Sequence, residues 1–147
     1  MNLKKVRIIT MSGLFLLLDR VLKWETIYNW TEPGLVNRYF GWQPFANKGV
    51  AFSFPVPVAV TIFITIPIIL LIIYLFLIEY NKSNPNLKLI FAWSLVLCGA
   101  LSNFIDRIKY SYVIDYILLG TALINLADIM IVSGLALFMI HLLKSKS

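Results

Sequence analysis

A chain of 147 residues is enough for one domain. Its apolar fraction of 60% and mean hydropathy of +0.84 exceed the roughly 45–50% apolar content of soluble domains, and a body this small cannot hide the excess from water. Lipid must therefore be the solvent for much of the surface. A single cysteine, Cys98, rules out an internal disulfide framework and reads as a small packing residue.

Four apolar stretches follow one another along the chain, at about residues 8–24, 56–78, 89–105 and 117–143. A hydrocarbon core of about 30 Å needs about 20 helical residues. The first and fourth stretches reach that length only with Asp19 and Asp128 inside them. The basic start Lys4-Lys5-Val6-Arg7 resembles a signal peptide, but the apolar run leads into Asp19-Arg20 without a small-residue cleavage site, so a retained helix is expected. Residues 25–55 carry aromatics among glycines and prolines, Trp30, Tyr39, Phe40, Trp42, Phe45, Phe52 and Phe54, which suits short strands and turns at a headgroup layer. Pro67 in the second stretch predicts a kink. The expected fold is thus an all-α integral membrane protein, one domain over residues 1–147, with four transmembrane helices and a small extracytoplasmic β/loop segment between the first two.

Charge placement gives an orientation. With both termini and the 79–88 loop on one side, the whole formal charge of +6 falls on that side and the other is neutral. The positive-inside rule makes the charged side cytoplasmic. It also explains the basic balance without a nucleic-acid partner.

Aspartates within membrane spans are costly and point to function by default. At about 1.5 Å per residue from the cytoplasmic ends, Asp19 rises ~18 Å, Asp106 ~27 Å and Asp128 ~24 Å. Asp115, in the link between the third and fourth stretches, lies near the same level. Asp19 and Lys23 are four apart on one helix face and are expected to neutralise each other. Asp106 precedes Arg107 and is expected to pair with it as a fixed anion at a helix end. Asn103 and Asn125 each stand three residues before an aspartate, placed to satisfy a helix end or to orient the carboxylate. Asp115 and Asp128 have no local partner. Two carboxylates in a dry site share a proton and titrate as a unit. One can take a proton from water while the other polarises a peptide carbonyl, which is aspartic protease chemistry and needs no metal. His141, the single histidine, falls at the cytoplasmic end, and no phosphate loop is present, so no metal or cofactor is expected.

Five motifs in order resemble the lipoprotein signal peptidase (signal peptidase II) family over nearly the whole chain. They are Asp19-x-x-x-Lys23; Asn47-Lys48-Gly49-Val50-Ala51-Phe52; Gly99 through Asn103 to Asp106-Arg107; Val113-Ile114-Asp115-Tyr116-Ile117, like Val-Val-Asp-Phe-Ile; and Asn125-Leu126-Ala127-Asp128. The resemblance implies an intramembrane aspartic endopeptidase of the bacterial cytoplasmic membrane, acting as a monomer near the outer leaflet. It would remove the signal peptide from diacylglyceryl-modified prolipoproteins, cutting just before the lipidated cysteine, with membrane lipids around it. By position the catalytic pair would be Asp115 and Asp128. Asp19, Lys23, Asn47, Gly49, Ala51, Phe52, Asn103, Asp106, Arg107 and Asn125 would shape the site. Ser102 departs from the family's usual glycine, and the link from Asp115 to Asp128 is shorter than usual. The alternative reading is a small transporter or channel subunit that uses the acids as an ion path; Lys23, Lys48 and Arg107 at the same layer weigh against a cation path.

Overall fold

The computed structural model describes residues 3–49 and 56–145. In chain order these form α1 (Leu3–Tyr28), β1 (Gly34–Asn37), β2 (Phe40–Asn47), α2 (Val58–Asn81), α3 (Leu87–Tyr110), β3 (Val113–Leu119), β4 (Ala122–Ile124) and α4 (Leu126–Ser145). The chain is mostly helical with one small sheet. Among the described residues three helices, α2, α3 and α4, are long and apolar enough to cross a membrane.

Two expectations change. The fold is not all-α outside residues 25–55, and the apolar stretch from residue 117 does not begin a helix. Residues 113–124 instead form β3 and β4, and α4 starts at Leu126. Val113, Ile114, Tyr116 and Ile117 are β-branched or aromatic and suit a pleated, half-buried surface. Gly120, with φ of +67°, allows the two-residue turn that pairs Leu119 with Ala122. The expected strands between the first two helices do form, as β1 and β2. They are completed by the later pair into one antiparallel sheet of order β1-β2-β3-β4. Phe45 stands opposite Asp115 and Asn47 opposite Val113.

Helix α3 is the hub, packed against α1, α2 and α4. Its first half joins an apolar core of Ile72, Leu89, Trp93 and Val96, where the Trp93 ring meets Phe138 of α4 at 4.7 Å. Midway, Ser12 of α1 and Ser94 of α3 share a buried hydrogen bond of 2.8 Å, a polar contact of the kind that joins helices in lipid. Outward faces are apolar: Phe63 of α2 is 77% exposed and Val132 of α4 66%. Pro67 sits inside α2, which continues through it.

The helices alternate in direction. The start of α1 meets the end of α2, where the Lys5 ammonium donates to the Tyr80 carbonyl at 2.6 Å. At the same end Asn86 beside α3 contacts His141 of α4 at 3.3 Å. The sheet, with Asp19, Lys23, Asn103, Asp106, Asn125 and Asp128, therefore collects at the opposite end.

Close approach of α4 to α3 depends on two glycines. A Cβ on Gly99 would stand 2.5 Å from the Ala127 carbonyl oxygen, and one on Gly134 2.6 Å from the Ala92 oxygen. Both obstacles are backbone and cannot swing aside. Gly99→Ala is expected to lower the thermal stability of the purified protein by about 1–3 kcal/mol through overpacking. Gly13→Ala, with nothing within 4 Å of the added carbon, should not destabilise it. Equal melting temperatures for Gly99→Ala and the parent would contradict this packing.

Candidate active site

Asp19, Arg20 and Lys23 lie on the side of α1 that meets α3. Lys23 Nζ is 3.1 Å from Asp19 Oδ2 and 2.8 Å from Asp106 Oδ2, and all three side chains are fully buried. Arg20 Nη1 reaches Asp106 Oδ1 at 2.5 Å and the Ser102 carbonyl at 3.2 Å. The expected Asp19–Lys23 pair is therefore present, inside a larger cluster. The expected Asp106–Arg107 pair is replaced: the cations on Asp106 are Arg20 and Lys23. Successive helical residues do not face each other, so Asp106 points at α1 while Arg107 turns to a different face. Arg107 donates to the Asn103 carbonyl one turn back at 3.4 Å.

Asp19 accepts more than Lys23. Ser102 Oγ donates to its Oδ2 at 2.5 Å, while Tyr116 Oη at 2.9 Å and the Ala127 N–H at 3.2 Å donate to Oδ1. Burial, with the Asp19 charge beside it, pushes the Tyr116 phenol upward, so it stays protonated and donates. Arg20, Ser102 and Tyr116 were not among the residues expected here. For Arg20 a signal was available, since it stands three residues before Lys23 on the same helix.

Asp115 and Asp128 are held differently. Asp115 on β3 accepts from Asn47 Nδ2 at 2.9 Å and from Asn125 Nδ2 at 2.6 Å. Asn47 in turn accepts from the buried Gly49 N–H at 3.0 Å. Ala51 and Phe52, also expected here, lie outside the described residues. Asp128 accepts from Asn103 Nδ2 at 2.8 Å and from the Asn125 N–H at 3.2 Å. The Asp128 N–H returns a 2.9 Å bond to Asn125 Oδ1. That reciprocal pair is a capping box, with Asn125 as N-cap and Asp128 three residues on. Asn103 also accepts from Lys23 Nζ at 2.8 Å and from Asn125 Nδ2 at 3.2 Å. Asn125 thus touches both carboxylates.

Both carboxylates and Arg107 line a cavity of about 730 Å³. Its far walls are apolar residues of α2 and α4, including Ile68, Ile131 and Val132. Burial pushes the Asp115 carboxyl from 3.8 up to about 6, with the hydrogen bond from Asn47 opposing and the charge of Asp128 adding to the rise. Among the described residues no buried side-chain nitrogen or oxygen lacks a hydrogen-bond partner.

A buried and a half-buried carboxylate, held by amides against one cavity at an end of an apolar helical bundle, make this a candidate enzyme site. Residues 11–144 match the family model described as signal peptidase (SPase) II, and the chain belongs to that family. It is 33% identical over 144 residues to a lipoprotein signal peptidase of Polynucleobacter necessarius, covering 92% of this chain and 88% of the relative. It is 39% identical over 70 residues to one of Clostridium tetani, a match that spans 44% of each chain. A solved bacterial membrane enzyme superposes with a TM-score of 0.84 at 28% identity, over 96% of this chain and 90% of that one. These similarities do not favour the transporter reading.

The raised Asp115 carboxyl has a consequence for stability. Unfolded, it titrates near 3.8; folded, near 6. Between those values the folded state binds more protons, so this group makes the protein less stable as pH rises through that window. Asp115→Asn cannot ionise and removes the penalty. Its melting temperature relative to the parent is expected to be higher at pH 7 than at pH 4. A difference that does not change with pH would refute the assignment.

Proposed function

We propose that the chain is an aspartic endopeptidase that releases the signal peptide of diacylglyceryl-modified prolipoproteins, with Asp115 and Asp128 as the catalytic pair. The observation that carries this reading is the bridge made by Asn125, whose side chain donates to Asp115 and whose N–H donates to Asp128. Among the described residues neither acid has a directly bonded cation, in contrast to Asp19 and Asp106. A pair held by neutral amides can share one proton. The ionised member takes a proton from the attacking water as the protonated member hydrogen-bonds the scissile carbonyl, and the roles exchange as the amine leaves. Arg107 brings positive charge to the same wall, where negative charge develops on the carbonyl oxygen.

The apolar stretch of the cavity between α2 and α4 suits the substrate's acyl chains. Burying a chain gains about 0.8 kcal/mol per CH₂, so lipid supplies much of the recognition. Purified protein incubated with a diacylated prolipoprotein is expected to release the signal peptide, at least about tenfold faster than from the unlipidated form. Asp115→Asn and Asp128→Asn should each abolish release, and the double variant should be no worse, because residues acting as a unit are not additive. Equal rates on the two substrates would sink the lipid role. Cleavage by well-folded Asp115→Asn would sink the catalytic assignment.

In this reading α1 is a fourth span. Its charges near the far end are matched inside the cluster with Asp106, which lowers the cost of placing them in a bilayer. Both termini are cytoplasmic and the pair lies near the outer leaflet. Lys4, Lys5, Arg7, Lys82, Lys88 and Lys144 belong to the bundle end away from the sheet, which supports that orientation. The protein acts as a monomer. Reporter fusions after Ser147 or within residues 81–85 should read cytoplasmic, and fusions near Gly34 extracytoplasmic; an outward C-terminus would reverse the assignment.

A further inference from the structure

Successive side chains of a strand point to opposite faces. On β3 that rule sends Asp115 to the cavity and Tyr116 to the buried ion cluster. The Tyr116 hydroxyl donates to Asp19 Oδ1 and accepts from the Leu126 N–H at 3.1 Å. Asp19 Oδ1 also accepts from the Ala127 N–H, and Asn125 Oδ1 from the Asp128 N–H. The first three N–H groups of α4, which a helix leaves without partners of its own, are all satisfied. The Asn125–Asp128 exchange is local and travels with the helix. The other two bonds come from β3 and α1, and they set where the first turn sits against the rest of the molecule. Trp42 stacks on the Tyr116 ring at 4.8 Å and is itself tied to the Trp30 carbonyl at 3.3 Å, so the phenol is held in place.

We propose that Tyr116 is a positioning residue whose hydroxyl, by holding the Leu126 N–H, sets Asp128 against its strand neighbour Asp115. The proposal rests on Asp115 and Asp128 being the catalytic pair. Misplacing a reacting group by about 1 Å is enough to cost up to ~100-fold in rate. Tyr116→Phe keeps the ring and its stacking but drops the hydroxyl. It should lower kcat about tenfold while KM stays within about twofold, since the cavity wall that binds substrate is untouched.

Leu126→Pro supplies the second arm. Proline suits the first helical position and has no N–H, so the hydroxyl has nothing there to hold. In that background Tyr116→Phe should change kcat by less than about twofold. A loss of equal size in both backgrounds, or no loss of kcat from Tyr116→Phe alone, would overturn the proposal. Tyr116→Phe protein too unstable to recover is to be remade with Leu126→Pro, and failure to fold there as well would also overturn it.

Amide exchange gives a readout that needs no substrate. The amides of residues 126–128 should exchange at least about tenfold faster in Tyr116→Phe, and unchanged exchange would end the proposal. Absence of cleavage by the parent protein would instead count against the peptidase reading, leaving the exchange result to decide the positioning role.

Discussion

The buried ion cluster between α1 and α3 is the constraint on which the site depends. Asp19, Lys23 and Asp106 have no solvent exposure, and Arg20 closes the set so that two acids face two bases. Removing one partner of such a set strands a charge at a cost of about 3–5 kcal/mol, so the helices can meet in one register only. Besides the Asp19 contacts to the first turn of α4, two further routes lead from the cluster to the cavity acids. Asp106 Oδ2 accepts from the Ile114 N–H at 3.3 Å, which pins the strand residue before Asp115. Lys23 donates to Asn103, and Asn103 donates to Asp128. Both cavity acids are thereby tied to the cluster.

Four aspartates at one end of the bundle play two roles, and the difference lies in what faces them. Asp19 and Asp106 each have a cation within 3.1 Å. Asp115 and Asp128 have Asn47, Asn103 and Asn125 instead. An amide fixes a carboxylate's position without supplying a full opposite charge. Burial pushes the Asp115 carboxyl up to about 6. In this arrangement the amides aim the carboxylates and the ion cluster holds the amides, Lys23 donating directly to Asn103.

Much of this was legible in the sequence because charges in lipid have few innocent explanations. The four acids, the Asp19–Lys23 spacing and the three asparagines all proved to belong to one end of the bundle. What was not legible depended on rotation and on pairing between distant segments. Neighbours in sequence suggested Asp106 with Arg107, whereas helix geometry turns them apart and gives Asp106 to α1. The run from residue 117 is apolar whether it is helix or strand, and only pairing with β2 separates the two. Spacing of three between Asn125 and Asp128 pointed to a shared face; the backbone adds the reciprocal N–H bonds of a helix cap, which start α4 nine residues later than the apolar run does.

Ser102 and Tyr116 stand where the motif pattern carries glycine and phenylalanine, so each adds a hydroxyl to that pattern. Both hydroxyls donate to the same carboxylate, one to each oxygen of Asp19. Hydrogen bonds to a charged group are worth about 1.5–3 kcal/mol each, more than a neutral pair would gain. Ser102 also contacts Lys23 and Arg20 at 3.4 Å, so it tightens the cluster from the α3 side while Tyr116 tightens it from the sheet. The serine on α3 thus donates to the same carboxylate that holds the Ala127 N–H in the first turn of α4.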